Sequence, residues 1–585
     1  MTMSQIQTRW QAQASAGETL REYPRPQLER AQWLCLNGRY DYAVTGEGAD
    51  FPARFDGEIL VPFALESALS GVQKPLLPTQ RLWYRRLFTL PEDFAGQRIF
   101  LHFGAVDWQC RVYVNRKSVA EHTGGYLPFS LDITDALTPG ENELMVRVFD
   151  PTDTAGQQRG KQVRDPKGIW YTATSGIWQT VWLEPVAPCH IRAIRLLPNI
   201  ERGILQLETR LSEKKDVQIL AILSDGGNEI SRGEIGLQAE LAVPNAKLWS
   251  PETPHLYDLT LEVRKGGVLC DRVKSYFGMR SFGIGKDSAG LPRLLLNGKP
   301  YFQKGLLDQG YWPESGLTPP SDEAMIYDIE RMKTLGFNML RKHIKVEPLR
   351  WYYHCDRLGM LVWQDMPSGG QYIGNLLAGV LPTAGIPVRD HHYNWFKRGE
   401  KTERMQFRQE LFTMLETLYN CVGISCWVPF NEAWGQFDAR EIGSAVKEFD
   451  PSRVVDHASG WYDQGGPDLK SVHRYILPVR LPPKDSRPFV LSEYGGYSLI
   501  LTGHVWDEER SFGYRMDKSR EALSARYRAL HEKQIFPLIP KGLSATVYTQ
   551  LSDVELEVNG ILSYDRELLK LDADMLREVN GKMVL

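Results

Sequence analysis

The chain has 585 residues, a length that corresponds to about three to four domains of typical size. Hydrophobic residues make up 42% of it and charged residues 24%, which is the composition of a folded globular protein. The formal net charge is -3 and no block of basic residues is present, so the sequence predicts binding neither to nucleic acid nor to a membrane surface.

The cysteines and the first residues bear on the cellular compartment. The seven cysteines are scattered and none forms a CxxC pair, so we predict neither a disulfide framework nor a zinc site, and we expect Cys421 and Cys426 to be buried thiols. The first residues lack the apolar stretch of a signal peptide, and no apolar run reaches the roughly 18 residues of a membrane span. We therefore expect a cytoplasmic protein, or a periplasmic or secreted one whose leader has been removed.

Short alternating strands separated by turn residues predict two β-sandwiches in the first half of the chain. The spacing of the strands in residues 1–187 is typical of a jelly roll. Residues 188–284 contain about seven shorter strands, which fits an immunoglobulin-like β-sandwich.

The pattern changes at residue 285, after which helical segments alternate with short apolar strands. The first helix has Ser321 as its expected N-cap, acidic residues in its first turn and Gly336 as its expected stop. Eight such strands in about 300 residues predict a catalytic (β/α)8 TIM barrel over residues 285–585.

Two glutamates stand at the predicted carboxyl ends of barrel strands, where an active site is expected. Glu432 ends the fourth predicted strand and Glu493 ends the seventh. Retaining glycosidases need two carboxyl groups about 5–5.5 Å apart, one as nucleophile and one as acid/base. An apolar wall keeps an acid protonated, and Trp434 is a candidate for that wall. The two glutamates are therefore the predicted catalytic pair.

Other polar and aromatic side chains at or near the predicted strand ends are candidate substrate ligands. They are Asn431, Arg341, Asp308, His343, Asp365, Trp434, Tyr475, His473, Trp461 and Gln550. Tyr475 and Arg341 are also candidates for the hydrogen bonds that keep a nucleophilic carboxylate ionised.

The motifs, taken in chain order, resemble those of glycoside hydrolase family 2, which contains β-galactosidases, β-glucuronidases and β-mannosidases. The resemblance rests on segments that include "LWYRRLFTLP", "SGIWQTVWLEPV", "LWSPETPHLYDLTLEV", "YDIERMKTLGFNMLRKHI", "WVPFNEAWGQFD" and "LSEYGG". The first two of these resemble the sugar-binding jelly roll of the family. The resemblance implies that Glu432 is the acid/base and Glu493 the nucleophile. It also implies that Asn431 binds the sugar 2-hydroxyl and that Arg341 and Tyr475 support the nucleophile.

Departures from the family pattern bear on the identity of the sugar. Asp308 and Lys342 follow the first two strands where the family often has other residues, and Thr549 and Gln550 stand where familiar members have a tryptophan. The Glu-x-His that binds magnesium in large β-galactosidases is missing, so we predict no metal and no cofactor. The Asn-x-Lys that holds the sugar carboxylate in β-glucuronidases has no convincing copy near Asn559.

The sequence thus predicts a retaining exo-β-glycosidase, of the β-galactosidase type, whose partner is a carbohydrate. Two alternatives stay open: the same mechanism on another sugar, as in an α-L-arabinosidase, a β-glucuronidase or a β-mannosidase, and a carbohydrate-binding protein that has lost catalysis. Residues 368–400 are longer than an ordinary loop, and either a sugar-binding surface or a packed excursion accounts for them. A homo-oligomer is also left open.

Overall fold

The structure is a computed structural model that describes residues 6–17, 20–482 and 485–585. Two β-sandwiches precede a parallel barrel, as the strand pattern predicts. All seven cysteines are free thiols, and Cys421 and Cys426 are buried as expected. Across the described residues, no helix is both long enough and apolar enough to traverse a bilayer.

The first sandwich packs a four-stranded sheet against a six-stranded sheet. Alternate residues of the strands, such as Leu82 and Tyr84, or Val112 and Val114, are buried between the sheets, which is why the sequence alternates there. The smaller sheet contains, in spatial order, Leu34–Cys35, Val181–Val186, Arg98–Phe103 and Phe129–Asp132. The larger sheet contains Gly57–Val61, Gly38–Gly46, Gln80–Thr89, Glu141–Phe149, Gln109–Val114 and Lys117–Thr123.

The second sandwich has seven antiparallel strands, in agreement with the immunoglobulin-like prediction. Its three-stranded sheet contains Ile191–Asn199, Ile204–Leu211 and Gln238–Ala242. Its four-stranded sheet contains Asn228–Ile235, Val217–Asp225, Tyr257–Lys265 and Val268–Phe277.

Eight parallel strands form the barrel, one for each strand that the sequence predicts. They are β1 Gln303–Asp308, β2 Met339–Lys342, β3 Leu361–Asp365, β4 Ile424–Val428, β5 Val454–Val455, β6 Lys470–Arg474, β7 Phe489–Gly495 and β8 Leu543–Thr549. Their order in the sheet is β5-β4-β3-β2-β1-β8-β7-β6, so backbone pairing is interrupted between β5 and β6. The hydroxyl of Ser459, after β5, lies 3.2 Å from Nε2 of His473 in β6 and spans this gap.

A small antiparallel sheet closes the amino end of the barrel. Its apolar side chains, among them Phe282, Leu294 and Leu296, share one buried cluster with Trp363 and Val547 from the barrel strands. The sheet contains Phe282–Lys286, Pro292–Leu296 and Lys299–Pro300. Side chains of this sheet therefore fill the barrel interior at its amino end, and a substrate has access only at the carboxyl ends of the strands.

Helices cover the barrel after six of the eight strands. They are Asp322–Thr334, Leu349–Leu358, Lys401–Leu418, Ala439–Phe449, Arg520–Leu530 and Ala573–Gly581. The Ser321 hydroxyl caps the first by accepting a hydrogen bond from the Ala324 amide at 3.2 Å, as predicted, an interaction worth about 1 kcal/mol. As far as the structure describes them, the connections after β5 and β6 contain no helix, and they lie as loops at the mouth of the barrel.

Candidate active site

Glu432 and Glu493 meet at the carboxyl end of the barrel, as the sequence predicts for residues that end strands of one barrel. Glu432 follows β4, and Glu493 lies in β7. One carboxylate oxygen of each, together with one ring nitrogen of His473, lies within 4.8 Å of the others. The Glu432 side chain is 13% exposed and that of Glu493 is 3% exposed. Both carboxyl groups are thus held close together in a largely dry environment.

Two hydrogen bonds stabilise the ionised form of Glu493 against the effect of its burial. Nη1 of Arg341 donates to its Oε1 at 3.1 Å, and the Tyr475 hydroxyl donates to its Oε2. Burial raises the pKa of Glu493, and Glu432 adds to this, while His473, Arg341 and Tyr475 lower it. Burial also raises the pKa of Tyr475 well above its usual range, so this hydroxyl stays a donor.

Arg341 is the fixed support behind this carboxylate. It is fully buried, and it makes two hydrogen bonds to Asp365, at 3.0 and 2.9 Å. It also donates to the Ser492 carbonyl and to Oδ1 of Asn431 at 2.8 Å. Removing one partner of such a buried pair costs about 3–5 kcal/mol. Arg341 and Asp365 therefore act on the site through Glu493 and Asn431, from behind the pocket wall.

Glu432 stands on a strained turn. Its φ is +48° and that of Ala433 is +65°, a left-handed conformation that costs on the order of 1–3 kcal/mol in residues other than glycine. The Glu432 amide donates to the Ser459 carbonyl at 3.0 Å, which ties this turn to the loop after β5. From this turn the carboxyl group reaches His473 in β6.

The environment of Glu432 favours its protonated form. Burial raises the pKa of Glu432 to about 7, although Lys161 and Arg341 oppose the shift. Its Oε1 lies 2.8 Å from Nδ1 of His473, and burial lowers the pKa of this imidazole to about 4. His473 is therefore neutral near pH 7, and Glu432 retains a proton up to that pH. Burial thus raises the pKa of both glutamates, but only Glu493 receives hydrogen bonds from Arg341 and Tyr475, which act against the rise.

His343 and Gln550 belong to one hydrogen-bonded chain at the side of the pocket. Nδ1 of His343 lies 2.9 Å from Oε1 of Gln309, and Nε2 of Gln309 donates to Oε1 of Gln550 at 2.7 Å. Nε2 of His343 is buried without a hydrogen-bond partner and lies 3.4 Å from Oε1 of Glu493. His343 reaches the pocket wall, whereas Gln550 lies behind it.

Asp308 lies outside the pocket, contrary to what its position after the first strand suggests. Arg341 pairs with Leu307 in the sheet and points inward, so the adjacent pair Asp308 and Lys342 points outward. Nζ of Lys342 donates to Asp308 at 2.6 Å and to Glu347 at 2.8 Å. The two departures from the family pattern at Asp308 and Lys342 therefore form a buried ion pair, and we do not assign Asp308 to the sugar.

The inner pocket contains side chains that the sequence did not reveal. Besides Glu432, Glu493, Asn431, His343, Trp434 and Tyr475, its wall contains Lys161, Trp170, Tyr514 and Glu557. Lys161 and Trp170 come from the jelly roll, Tyr514 from the long connection between β7 and β8, and Glu557 from the loop after β8. Trp461 and His473 line an adjoining cavity that also contacts Glu432 and Trp434.

A loop of the jelly roll, residues 157–172, brings Lys161 to the barrel. The amides of Arg159 and Gly160 donate to the Ser368 carbonyl, at 3.0 and 2.9 Å. Gln162 donates to both Asp107 and Tyr126, at 2.7 and 2.8 Å, which fixes the chain next to Lys161. No local sequence signal marks these contacts, because they depend on how two domains dock.

A metal ion would compete with the chemistry of the glutamates. Among the described residues, the one group of three His, Cys, Asp or Glu ligand atoms at chelating distance consists of Glu432, His473 and Glu493. A cation bound there would take both carboxylates and prevent one from holding a proton. That the protein uses no metal stays a prediction.

Comparisons with known proteins match this architecture domain by domain. The family model for Glycosyl hydrolases family 2, sugar binding domain, matches residues 64–185. The model for Glycosyl hydrolases family 2 matches residues 190–280, and the model for its TIM barrel domain matches residues 292–504. The fold and these matches define a glycoside hydrolase. The chain belongs to glycosyl hydrolases family 2, which confirms the resemblance seen in the sequence.

Individual relatives are distant. A β-galactosidase of Halalkalibacterium halodurans is 25% identical over 464 residues, covering 72% of this chain and 43% of that protein. A β-glucuronidase of Paenibacillus borealis is 26% identical over 307 residues, covering 49% of this chain and 50% of that protein. The alignments thus span half or less of the length of these two curated relatives.

The fold is also shared with solved structures. The β-glucuronidase of Ruminococcus gnavus, in complex with uronic isofagomine, matches with a TM-score of 0.75 and 18% identity. The match covers 97% of this chain and 100% of that chain. At this identity the likeness shows the fold alone.

Proposed function

We propose that the protein is a retaining exo-β-glycosidase that works by double displacement, with Glu493 as nucleophile and Glu432 as acid/base. The observation that carries this proposal is the separation of the two carboxyl groups, whose nearest described oxygens lie within 4.8 Å. Retaining enzymes have about 5–5.5 Å between these groups, and inverting enzymes have about 6.5–9.5 Å to leave room for a water. The short separation supports direct attack by a carboxylate.

The environments of the two glutamates support the assignment of roles. Glu493 receives hydrogen bonds from Arg341 and Tyr475, so it is the carboxylate that attacks the anomeric carbon. Glu432 holds its proton up to about pH 7 and transfers it to the glycosidic oxygen as the C–O bond breaks. Glu432 then takes a proton from water, whose oxygen attacks the glycosyl ester and releases Glu493.

The orientation of Asn431 supports a contact with the sugar. Its Oδ1 accepts a hydrogen bond from Arg341, so the amide is oriented with its NH2 group as the donor on the other side. Asn431 lies on the pocket wall beside both glutamates. We assign this NH2 group to the sugar 2-hydroxyl, where a hydrogen bond strengthens as charge develops on the ring.

A β-galactosidase-type activity on a neutral sugar is the substrate assignment that we favour. Lys161 and Glu557 lie on the pocket wall with their charged atoms 3.7 Å apart. Their charges cancel, and together they offer a donor and an acceptor, which suits sugar hydroxyls better than a carboxylate. Glu557 is held by the Tyr171 hydroxyl and by Nδ2 of Asn559 at 2.9 Å.

A β-glucuronidase is the second candidate, and Lys161 is the observation that favours it. Its side chain is 9% exposed, and it supplies a cation to the pocket that replaces the missing lysine of the Asn-x-Lys pattern. A sugar carboxylate would then pair with Lys161 in competition with Glu557. α-L-Arabinosidase and β-mannosidase activities need no such cation, and the same panel of glycosides tests them.

A panel of 4-nitrophenyl glycosides distinguishes these substrates. We expect the β-galactoside to be hydrolysed with a kcat/KM at least about tenfold above that of the β-glucuronide, because a misplaced carboxylate leaves charges unpaired in the pocket. Lys161→Met raises KM for the β-galactoside, whereas Lys247→Met, an exposed site in the second sandwich, leaves it unchanged. If the β-glucuronide is the preferred substrate and its turnover disappears in Lys161→Met, the protein is a β-glucuronidase instead. Binding in calorimetry without release of any sugar would favour a carbohydrate-binding protein.

The pH dependence of kcat/KM follows from the two glutamates. Activity rises with pH as Glu493 ionises and falls above about pH 7, where Glu432 loses its proton. Tyr475→Phe removes a hydrogen bond that lowers the pKa of Glu493, so the acidic limb moves to higher pH. A hydrogen bond to a charged group is worth about 1.5–3 kcal/mol, so we expect a loss of roughly 10- to 100-fold at neutral pH.

The matched control is Tyr494→Phe, which removes the hydroxyl of the tyrosine that follows Glu493 in the chain. That hydroxyl lies 2.7 Å from Nε2 of His531, away from the pocket. The control keeps the wild-type pH profile. An acidic limb that stays in place or moves to lower pH in Tyr475→Phe contradicts the role of Tyr475.

A further inference from the structure

A groove of about 880 Å³ opens directly outside the catalytic pair. Glu432 and His473 form part of its wall, so the groove is continuous with the inner pocket. Its volume lies in the range of small-molecule sites, about 300–1,000 Å³. Seven aromatic side chains surround it, namely Trp170, Tyr372, Trp434, Trp461, Tyr475, Phe512 and Tyr514.

Aliphatic side chains on the same wall are strongly exposed to solvent. Ile476 is 83% exposed, Val380 59% and Leu477 51%. Such side chains offer no hydrogen bond to a hydroxyl group, although polar side chains, among them Asn375 and Arg474, lie on the same wall. Exposed apolar side chains grouped around one groove mark a binding site. They come from the connections after β3 and β6, both of which lie at the mouth of the barrel.

The position of Glu432 determines what enters this groove. As the acid, Glu432 gives its proton to the glycosidic oxygen, and the alcohol that carries this oxygen away lies on the open side of Glu432. That side is the groove, since the inner pocket on the other side, whose wall contains Lys161, His343 and Glu557, is the place of the sugar. The occupant of the groove is therefore the leaving group of the substrate.

We propose that the leaving group is an apolar, ring-bearing alcohol or phenol rather than a second sugar. The inference rests on the proposed function and adds the aglycone class to it. Trp170 and Trp434 meet at 4.4 Å between ring centroids, and Tyr475 stacks on Tyr514 at 4.0 Å. These rings offer faces and edges to a planar group, and the aliphatic side chains cover its far end.

Two glycosides of equal chemical reactivity test the proposal. The 2-phenylethyl and methyl glycosides of the sugar preferred in the panel both release simple alcohols, so they differ mainly in apolar surface. We expect kcat/KM for the 2-phenylethyl glycoside to be about 10- to 100-fold higher. A disaccharide of the same sugar is hydrolysed no faster than the methyl glycoside.

The double variant Ile476→Ser/Leu477→Ser tests the groove itself. We expect the ratio of kcat/KM for the 2-phenylethyl over the methyl glycoside to fall about tenfold, because both side chains cover the phenyl ring. The matched control is Val268→Ser, an apolar side chain that is 68% exposed in the second sandwich and should leave the ratio unchanged.

The outcomes separate this inference from the proposed function. If the methyl glycoside or the disaccharide is turned over as fast as the 2-phenylethyl glycoside, the inference fails and the proposed function stands. If no glycoside is hydrolysed, the proposed function fails, and equal affinity for the two glycosides in calorimetry overturns the inference as well. The protein could instead be a dimer that the double variant dissociates without changing the substrate ratio. That result assigns the exposed aliphatic side chains to contact with a second copy of this chain, and it also overturns the inference.

Discussion

Glu493→Ala loses nearly all turnover of the preferred glycoside, with a fall in kcat of about 10⁴-fold or more, as expected for removal of a nucleophile. The reason is that the first step then has no attacking atom, although Arg341 and Tyr475 still stand around the empty position. The measurement is the release of nitrophenol from the 4-nitrophenyl glycoside, with thermal unfolding recorded to show that the variant is folded.

Added azide provides the decisive readout for Glu493→Ala. Alanine leaves a space beside Arg341, and azide is small and anionic enough to occupy it. Azide then attacks from the face that the carboxylate used, so the product is an α-glycosyl azide, identified by NMR. The control Glu532→Ala removes a glutamate in the connection between β7 and β8 that is 46% exposed, and it keeps full activity. Unchanged turnover in Glu493→Ala, or a β-glycosyl azide from it, rules out Glu493 as the nucleophile.

Much of the fold is predictable from the sequence because local physics determines it. Most of the barrel strands contain short apolar runs, and some helices carry local signals, such as the Ser321 cap at the start of the first helix and Gly336 just after its end. Since parallel strands of a closed barrel all end on one rim, Glu432 and Glu493 were expected to converge without knowledge of any contact between them. The same reasoning brings Asn431 and Tyr475 to the pocket.

The remainder of the site depends on information that no local pattern contains. Lys161 reaches the pocket because the jelly roll docks on the barrel at Ser368, a contact between domains. Asp308 points away because the register of β1 against β2 sets Leu307, and not Asp308, beside the inward Arg341. A one-residue difference in register exchanges the two faces of a strand, and the sequence of a strand end does not specify it.

The long segment after β3, residues 368–400, is another part of the site whose role depends on how the chain docks. Tyr372 and Val380 lie on the groove wall, whereas the aromatic residues within 391–396 do not. Phe396 is instead fully buried and packs at 5.8 Å from Tyr462. The length of the segment therefore identifies it as unusual, but the way its first half packs on the barrel decides which of its residues contact a ligand.

Glu432→Ala is expected to lower kcat/KM by an amount that depends on the leaving group. An alkyl glycoside such as the 2-phenylethyl one needs a proton on its departing oxygen, and loss of the general acid costs it about 10²–10⁴-fold. A 2,4-dinitrophenyl glycoside leaves as a stable anion, so its first step proceeds almost unchanged and a burst of phenol appears. The second step is then slow, because no base activates water, and the glycosyl ester on Glu493 accumulates.

Azide acts on this variant from the opposite face to the one it uses in Glu493→Ala. It attacks the glycosyl ester where the activated water would stand, so the expected product is a β-glycosyl azide. The basic limb of the pH profile also disappears, because the group with a pKa of about 7 is gone. Glu441→Ala, an exposed glutamate in the first turn of the helix after the same strand, keeps both limbs. Equal losses for the alkyl and the dinitrophenyl glycosides contradict an acid role for Glu432, since only a proton donor distinguishes the two leaving groups.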